Sequence, residues 1–238
     1  AEDLYDPAYS DIIRVAGLVG FSRGKASAIV SELSGRDPDT HKVDEARIPA
    51  AYEKLEGALL QIVKKYHFDN FLMLIKSAGF IAPGMIGSKN VLNFTYALYL
   101  RLREDETMSE GERKRIVRRW FVLSMLTGRH SGSFESTWEQ DIRRIGVLGA
   151  ANYLKQLEES ELSDAFWTVT LPANLETTST ASPLFQTFLA AQVATGVRGF
   201  LSKSITIAAM HQNSGDIHHI VPKDYLQKNG FPDRGDYN

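Results

Sequence analysis

The stretch Ser109-Glu-Gly-Glu112-Arg-Lys-Arg-Ile116-Val117-Arg-Arg-Trp120-Phe121-Val-Leu-Ser-Met125-Leu-Thr-Gly128 decides the fold class. Ser109 and Glu112 form the Ser-x-x-Glu pattern that satisfies the free N–H groups at a helix start. Ile116, Val117, Trp120, Phe121 and Met125 then recur every three or four residues, the spacing of one helical face. Gly128 supplies the stop, because glycine alone enters the left-handed conformation at no steric cost.

The same period extends outward from this helix. Ala51, Leu55, Leu59, Ile62 and Val63 predict a helix over about Pro49 to Tyr66. Val91, Phe94, Leu98 and Leu102 predict another over about Asn90 to Arg103. A further helix is expected from Ser136 to Ile145. Ser182-Pro183 is a cap and first-turn pair opening Leu184 to Thr195, with Leu184, Phe185, Phe188, Leu189 and Val193 as its apolar face.

Strand signals are few. Trp167-Thr-Val-Thr-Leu171 alternates, Ile205-Thr-Ile207 is short and β-branched, and Asp216-Ile-His-His-Ile-Val221 has the content of a third strand. Gly35 to Glu45, with Val43 as its only large apolar residue, reads as an exposed connection after an N-terminal helical pair. The expected fold is mainly α. A multi-helix region covers 1–200, with a sub-boundary near 35–45, and a partial ββα element occupies 201–238.

Bulk composition narrows the function. The chain has 238 residues, 43% apolar and 24% charged, as ordinary globular domains do. Its net charge of −2 gives no overall attraction to nucleic acid, so any such contact needs a local basic surface. With no cysteine, disulfides and thiolate metal sites are excluded. No signal peptide opens the chain, and the apolar run from Phe71 to Ile86 is too short and too interrupted to span a bilayer. A cytoplasmic location and no membrane partner are expected. The start at Ala1 and the stop at Asn238 after a turn-rich stretch read as a fragment of a longer polypeptide.

The segment with chemistry is Asp216-Ile-His218-His219-Ile-Val-Pro222-Lys-Asp-Tyr-Leu226. Neighbouring side chains on a strand point to opposite faces, so the two imidazoles cannot simply chelate one ion together. One can face a metal while the other does different work. Pro222 ends the extended run, and Lys223 to Lys228 follows with good helix formers.

His218-His219-Ile220-Val221-Pro222 resembles the first strand of the HNH, or ββα-metal, nuclease finger. The resemblance implies that His218 helps to bind a divalent cation and that His219 is the general base that activates water. Asn238, in Gly235-Asp-Tyr-Asn238, is then the residue that positions the base histidine's loop. The helix that closes the finger would follow Asn238. Upstream, Arg118 to Ser131 and Phe134 to Asp141 resemble the helical region before the finger in GmrSD-like restriction proteins. Those proteins pair a ParB-like nucleotide-hydrolysing domain with an HNH domain and attack modified foreign DNA. The chain carries no Gly-x-x-x-x-Gly-Lys-Ser/Thr loop and no Asp-Gly-Gln-Arg-like segment, so any nucleoside triphosphate would act through a domain absent from it.

The implied chemistry is coherent. Phosphodiester hydrolysis needs a deprotonated water and a cation to hold charge on phosphate. A neutral imidazole accepts a proton at cellular pH. A histidine ligand favours manganese, nickel, cobalt or zinc, while magnesium can bind through oxygen ligands. Such a fragment alone is expected to cleave DNA poorly.

The remaining signals have two readings each. The histidine pair could instead be structural, inside a helical module that binds DNA or protein. Lys223, Arg118 and Arg119 are candidate DNA contacts, but the cluster Arg113 to Arg119 is also what a solvated face balanced by Glu104 to Glu112 looks like. Arg143-Arg144 is a weaker version of the same pattern. Trp120, Trp138 and Trp167 are expected in the core. His41, His67 and His130 have no partner at ligand spacing, and His130, beside Arg129 in a Gly-rich turn, is a candidate surface position.

Overall fold

The computed structural model describes residues 4–37, 39–176, 179–200, 202–212 and 221–232. It is 70% helical. Twelve α-helices follow one another among the described residues: α1 (Tyr9–Phe21), α2 (Ala26–Leu33), α3 (Ile48–Ile62), α4 (Lys65–Ser77), α5 (Lys89–Arg103), α6 (Glu110–Thr127), α7 (Phe134–Leu148), α8 (Ala150–Glu161), α9 (Leu171–Leu175), α10 (Pro183–Ala194), α11 (Ile207–Gln212) and α12 (Lys223–Lys228). No strand forms among the described residues, and none of their helices is long and apolar enough to cross a membrane.

Helix α5 is the axis of the bundle. Every residue from Val91 to Leu100 is buried. Its apolar and aromatic residues run round the whole circumference, as in a helix enclosed on all sides. The expected single face of Val91, Phe94, Leu98 and Leu102 was therefore too narrow. Helices α1 and α6 pack directly on it, and α1 also packs on α3. The polar groups carried inward all find partners. Thr95 donates to the Val91 carbonyl at 2.6 Å, and Tyr96 donates to the Ile62 carbonyl at 2.8 Å. Asn93 donates to Asp11 Oδ1 at 2.8 Å and accepts from the Tyr5 hydroxyl, while the other Asp11 oxygen accepts from the Ala8 N–H at 2.9 Å. This chain of bonds ties the N-terminal segment and α1 to the central helix.

Helix α6 begins and ends where its sequence dictates. The Ser109 hydroxyl accepts from the Glu112 N–H at 3.3 Å, and Gly128 takes the left-handed conformation at φ 63°. Trp120 and Phe121 are fully buried, Trp120 stacking on Phe94 at 5.6 Å. Ser182 likewise caps α10, its hydroxyl accepting from Phe185.

Several expectations are corrected. The helix expected from Pro49 to Tyr66 breaks after Ile62, and Lys64 is extended, which turns α4 so that Phe71, Leu72 and Ile75 reach the core. Val63 is left 64% exposed. Phe166–Thr170 is a π-helix rather than a strand, continuing into α9. Thr168 bonds back to the Asp164 carbonyl at 2.7 Å and Trp167 N–H to the Ser163 carbonyl at 3.2 Å, so local bonds replace a partner strand. Trp167 is consequently half exposed, unlike Trp120 and Trp138. Of Ile205 to Ile207, only Thr206 makes an isolated bridge, to Arg198, and Ile207 starts α11. In α10 the buried positions are Thr187 and Ala190, while Phe188 faces outward. The stretch after Gly35 is a tight exposed loop, with Arg36 bridged to Val43.

Candidate functional site

The residues named for catalysis and metal binding, His218, His219 and Asn238, lie outside the described residues. So do Asp216 to Ile220 of the expected third strand. The element next to them is described: Pro222 is extended at φ −55° and ψ 133°, and α12 begins at Lys223. Proline suits that place, since it fixes φ and needs no N–H partner at a helix start. Lys223 is exposed on this first turn. Among the described residues no group of three or more His, Asp or Glu side chains is arranged to hold a metal ion.

Arg118 and Arg119 come together in one groove of about 410 Å³, bordered by Glu158, Leu162, Trp167 and Ala194. They differ in availability. Arg119 grips Glu158 with two donors, Nε at 2.8 Å and Nη2, so its charge is matched. Arg118 makes no ion pair among the described residues. The Trp167 ring is held at the groove by its N–H, which donates to the Leu162 carbonyl at 3.0 Å. Lys223 does not line this groove.

The most developed polar constellation is one that sequence reasoning missed. Arg129, just after α6, donates from Nε to Asp141 Oδ2 at 3.0 Å and from Nη2 to Oδ1 at 2.5 Å. Its Nη1 reaches Glu161 on α8. Tyr153 donates to Asp141 Oδ1 at 3.0 Å, and His130 Nε2 meets Oδ2 at 3.1 Å. Asp141 and His130 are fully buried, which corrects the expectation of a surface His130. Phe94 lies against the His130 ring at 4.4 Å.

The electrostatics follow from burial and pairing. Burial pushes the His130 imidazole below its ordinary value, outweighing its bond to Asp141. Burial works to raise Asp141, but the bonds from His130 and Arg129 together hold it below the carboxylate range. Burial, with the Asp141 charge, lifts the Tyr153 hydroxyl to about 12. A neutral His130 beside a carboxylate carries its proton on Nε2. Nδ1 is then a bare acceptor, and it is buried with no hydrogen-bond partner among the described residues. Buried at Asp141 and His130 and partly open at Glu161, this network ties the α6 terminus to α7 and α8. The signal for it was Asp141 itself, an acid at the helical spacing of Trp138, Ile142 and Ile145, where an unpaired carboxylate would be costly.

No known protein-family model matches the chain, and neither curated proteins nor solved structures gave a match.

Proposed function

We propose that the chain is the helical part and the first portion of the HNH finger of a metal-dependent DNA endonuclease, of the kind that restricts modified foreign DNA. The observation that carries this reading is the sequence His218-His219-Ile220-Val221-Pro222 placed immediately before α12. A divalent cation held in part by His218 would neutralise charge on the phosphate. His219 takes a proton from water as that water attacks phosphorus. Asn238 holds the loop that carries the base. Arg118, which lines a groove with Trp167 and makes no ion pair among the described residues, offers one cationic contact to the DNA backbone.

The test is plasmid cleavage with manganese or magnesium by the full-length gene product and its His219→Ala variant. Loss of cleavage with an unchanged thermal midpoint is expected. If the variant cuts as the wild type does, the histidine pair is structural, and the helices act as a binding module instead.

A further inference from the structure

The connection between α1 and α2 lies against α7 and makes a second groove, away from Trp167. Gly24 sets how close the two walls come. A Cβ there would sit 2.6 Å from the Glu135 carbonyl and 3.0 Å from Trp138 Cβ, so only glycine lets the backbone reach α7. The neighbouring Lys25 N–H donates to Glu139 on α7 at 3.2 Å and fixes the register of the two walls. One section of the groove, about 520 Å³, is lined by Lys25, Ser136, Glu139, Arg143 and Arg144. The adjoining section, about 430 Å³, is lined by Arg23, Asp39, Arg101 and again Arg143. Arg143 borders both sections, so they flank one side chain.

The charges along these two sections are unequal. Arg23 holds Asp39 through two bonds, at 2.6 and 3.2 Å, and lies 3.8 Å from Glu32. Arg14 lies 3.6 Å from Glu135, and Glu139 is engaged by the Lys25 backbone. The side chains of Lys25, Arg143 and Arg144 are exposed and make no ion pair among the described residues. Arg101, on α5, is a partly buried cation without a carboxylate within ion-pair distance among them. Its Nη1 is held by the Leu18 carbonyl at 2.9 Å and the Ser22 hydroxyl at 2.9 Å, at the C-terminal end of α1. Its hydrogen-bond partners among the described residues are neutral oxygens, and the Glu104 charge at the end of α5 acts on it without pairing, which leaves room for an anion. In a chain of net charge −2, this is a local excess of positive charge with a defined shape.

We propose that this groove, with Lys25, Arg143 and Arg144 on its walls and Arg101 at its floor, binds the phosphate backbone of duplex DNA. The ligand class follows from the lining. Guanidinium groups in a row match successive phosphates. A bound single strand would need aromatic platforms, and Phe21 is the only aromatic residue lining either section. The choice of DNA rests on the nuclease reading above, but the binding itself does not need cleavage chemistry.

The experiment measures fluorescence anisotropy of the 238-residue chain with a labelled duplex of about two helical turns, in EDTA and over a salt series. Arg143→Ala/Arg144→Ala is expected to bind at least about fivefold more weakly, with the slope of log affinity against log salt reduced by about 2. Both residues are exposed, so the thermal midpoint should hold. Lys25→Ala, on the opposite wall, should weaken binding in the same direction. Lys155→Ala on α8 should bind like the wild type. No binding by the wild type, a smaller loss, an unchanged slope or an equal loss in Lys155→Ala overturns the proposal. A groove effect that persists while His219→Ala still cleaves DNA would sink the nuclease reading and leave this one standing.

Discussion

His130 Nε2 lies 3.1 Å from Asp141 Oδ2, and both side chains are completely buried. The carboxylate also takes two donors from Arg129 and one from Tyr153, so one acid on α7 collects the loop after α6 and the side of α8. Removing it leaves the largely buried Arg129 guanidinium with Glu161 as its one remaining carboxylate among the described residues and strips His130 and Tyr153 of their shared acceptor. Asp141→Ala is therefore expected to cost about 3–5 kcal/mol of folding stability. Asp141→Asn keeps the size but loses the charge, and should cost less. Urea unfolding followed by circular dichroism reads both, and a loss below 1 kcal/mol in Asp141→Ala would show the network to be dispensable.

The same pair fixes the sign of the pH response. The His130 pKa is lowered in the fold from an ordinary value of 6.5, chiefly by burial. The unfolded chain thus binds this proton first. The neutral imidazole's contribution is complete above 6.5 and drains away as pH falls from there towards the folded value. His67, half buried against the Gln61 carbonyl, is shifted the same way by burial. Asp141, also lowered, adds a second loss at more acid pH, below the ordinary 3.8. Stability should fall as the pH drops below 6.5, with a slope of up to about 1.4 kcal/mol per pH unit for His130. In His130→Phe that slope should shrink. Thermal midpoints of the two proteins across this range make the comparison, and identical pH profiles would refute the assignment.

Gly79 ends α4 at φ 92°, and a Cβ there would fall 1.8 Å from the Ala190 carbonyl of α10. Since backbone, unlike a side chain, cannot swing aside, Gly79→Ala must push α10 outward as well as strain its own φ. A cost of about 1–3 kcal/mol is expected, with faster hydrogen exchange at α10 amides than elsewhere. Gly57, inside α3 with nothing within 4 Å of its missing Cβ, is the matched control. Gly57→Ala should stabilise by about 0.5–1 kcal/mol.

Helices were legible wherever a cap, a period and a stop coincided, as from Ser109 to Gly128 and at Ser182 before α10. Periodicity failed where a helix is enclosed on every side. For α5 the pattern picked out a stripe, although burial covers its whole girth. It failed again at Trp167 to Thr170, where β-branched alternation was satisfied by back-bonding within a π-helix. The Arg129–Asp141 clamp escaped because its members are 12 residues apart and meet only once α6 and α7 pack. The basic groove escaped in part, for the same reason. Arg143-Arg144 showed in sequence as a weak basic pattern, but Lys25 joins it only once Gly24 brings the two segments into contact. The histidine pair, by contrast, is visible in sequence through its tandem and the Ile-x-Pro after it, and His218 and His219 lie outside the described residues.

The two histidines, if they divide the labour as proposed, must fail differently. His218 is assigned to the cation, so His218→Ala in the full-length gene product should raise the manganese concentration needed for half-maximal cleavage, and excess metal should restore much of the rate. His219 is assigned to the proton. His219→Ala should lower the cleavage rate by about 10²–10⁴-fold at every metal concentration, because no added cation replaces a base. EDTA should silence the wild type in either case. Cleavage rates measured over a manganese titration separate the roles: rescue of His219→Ala by metal, or failure to rescue His218→Ala, would mean that the base and ligand assignments are exchanged or wrong.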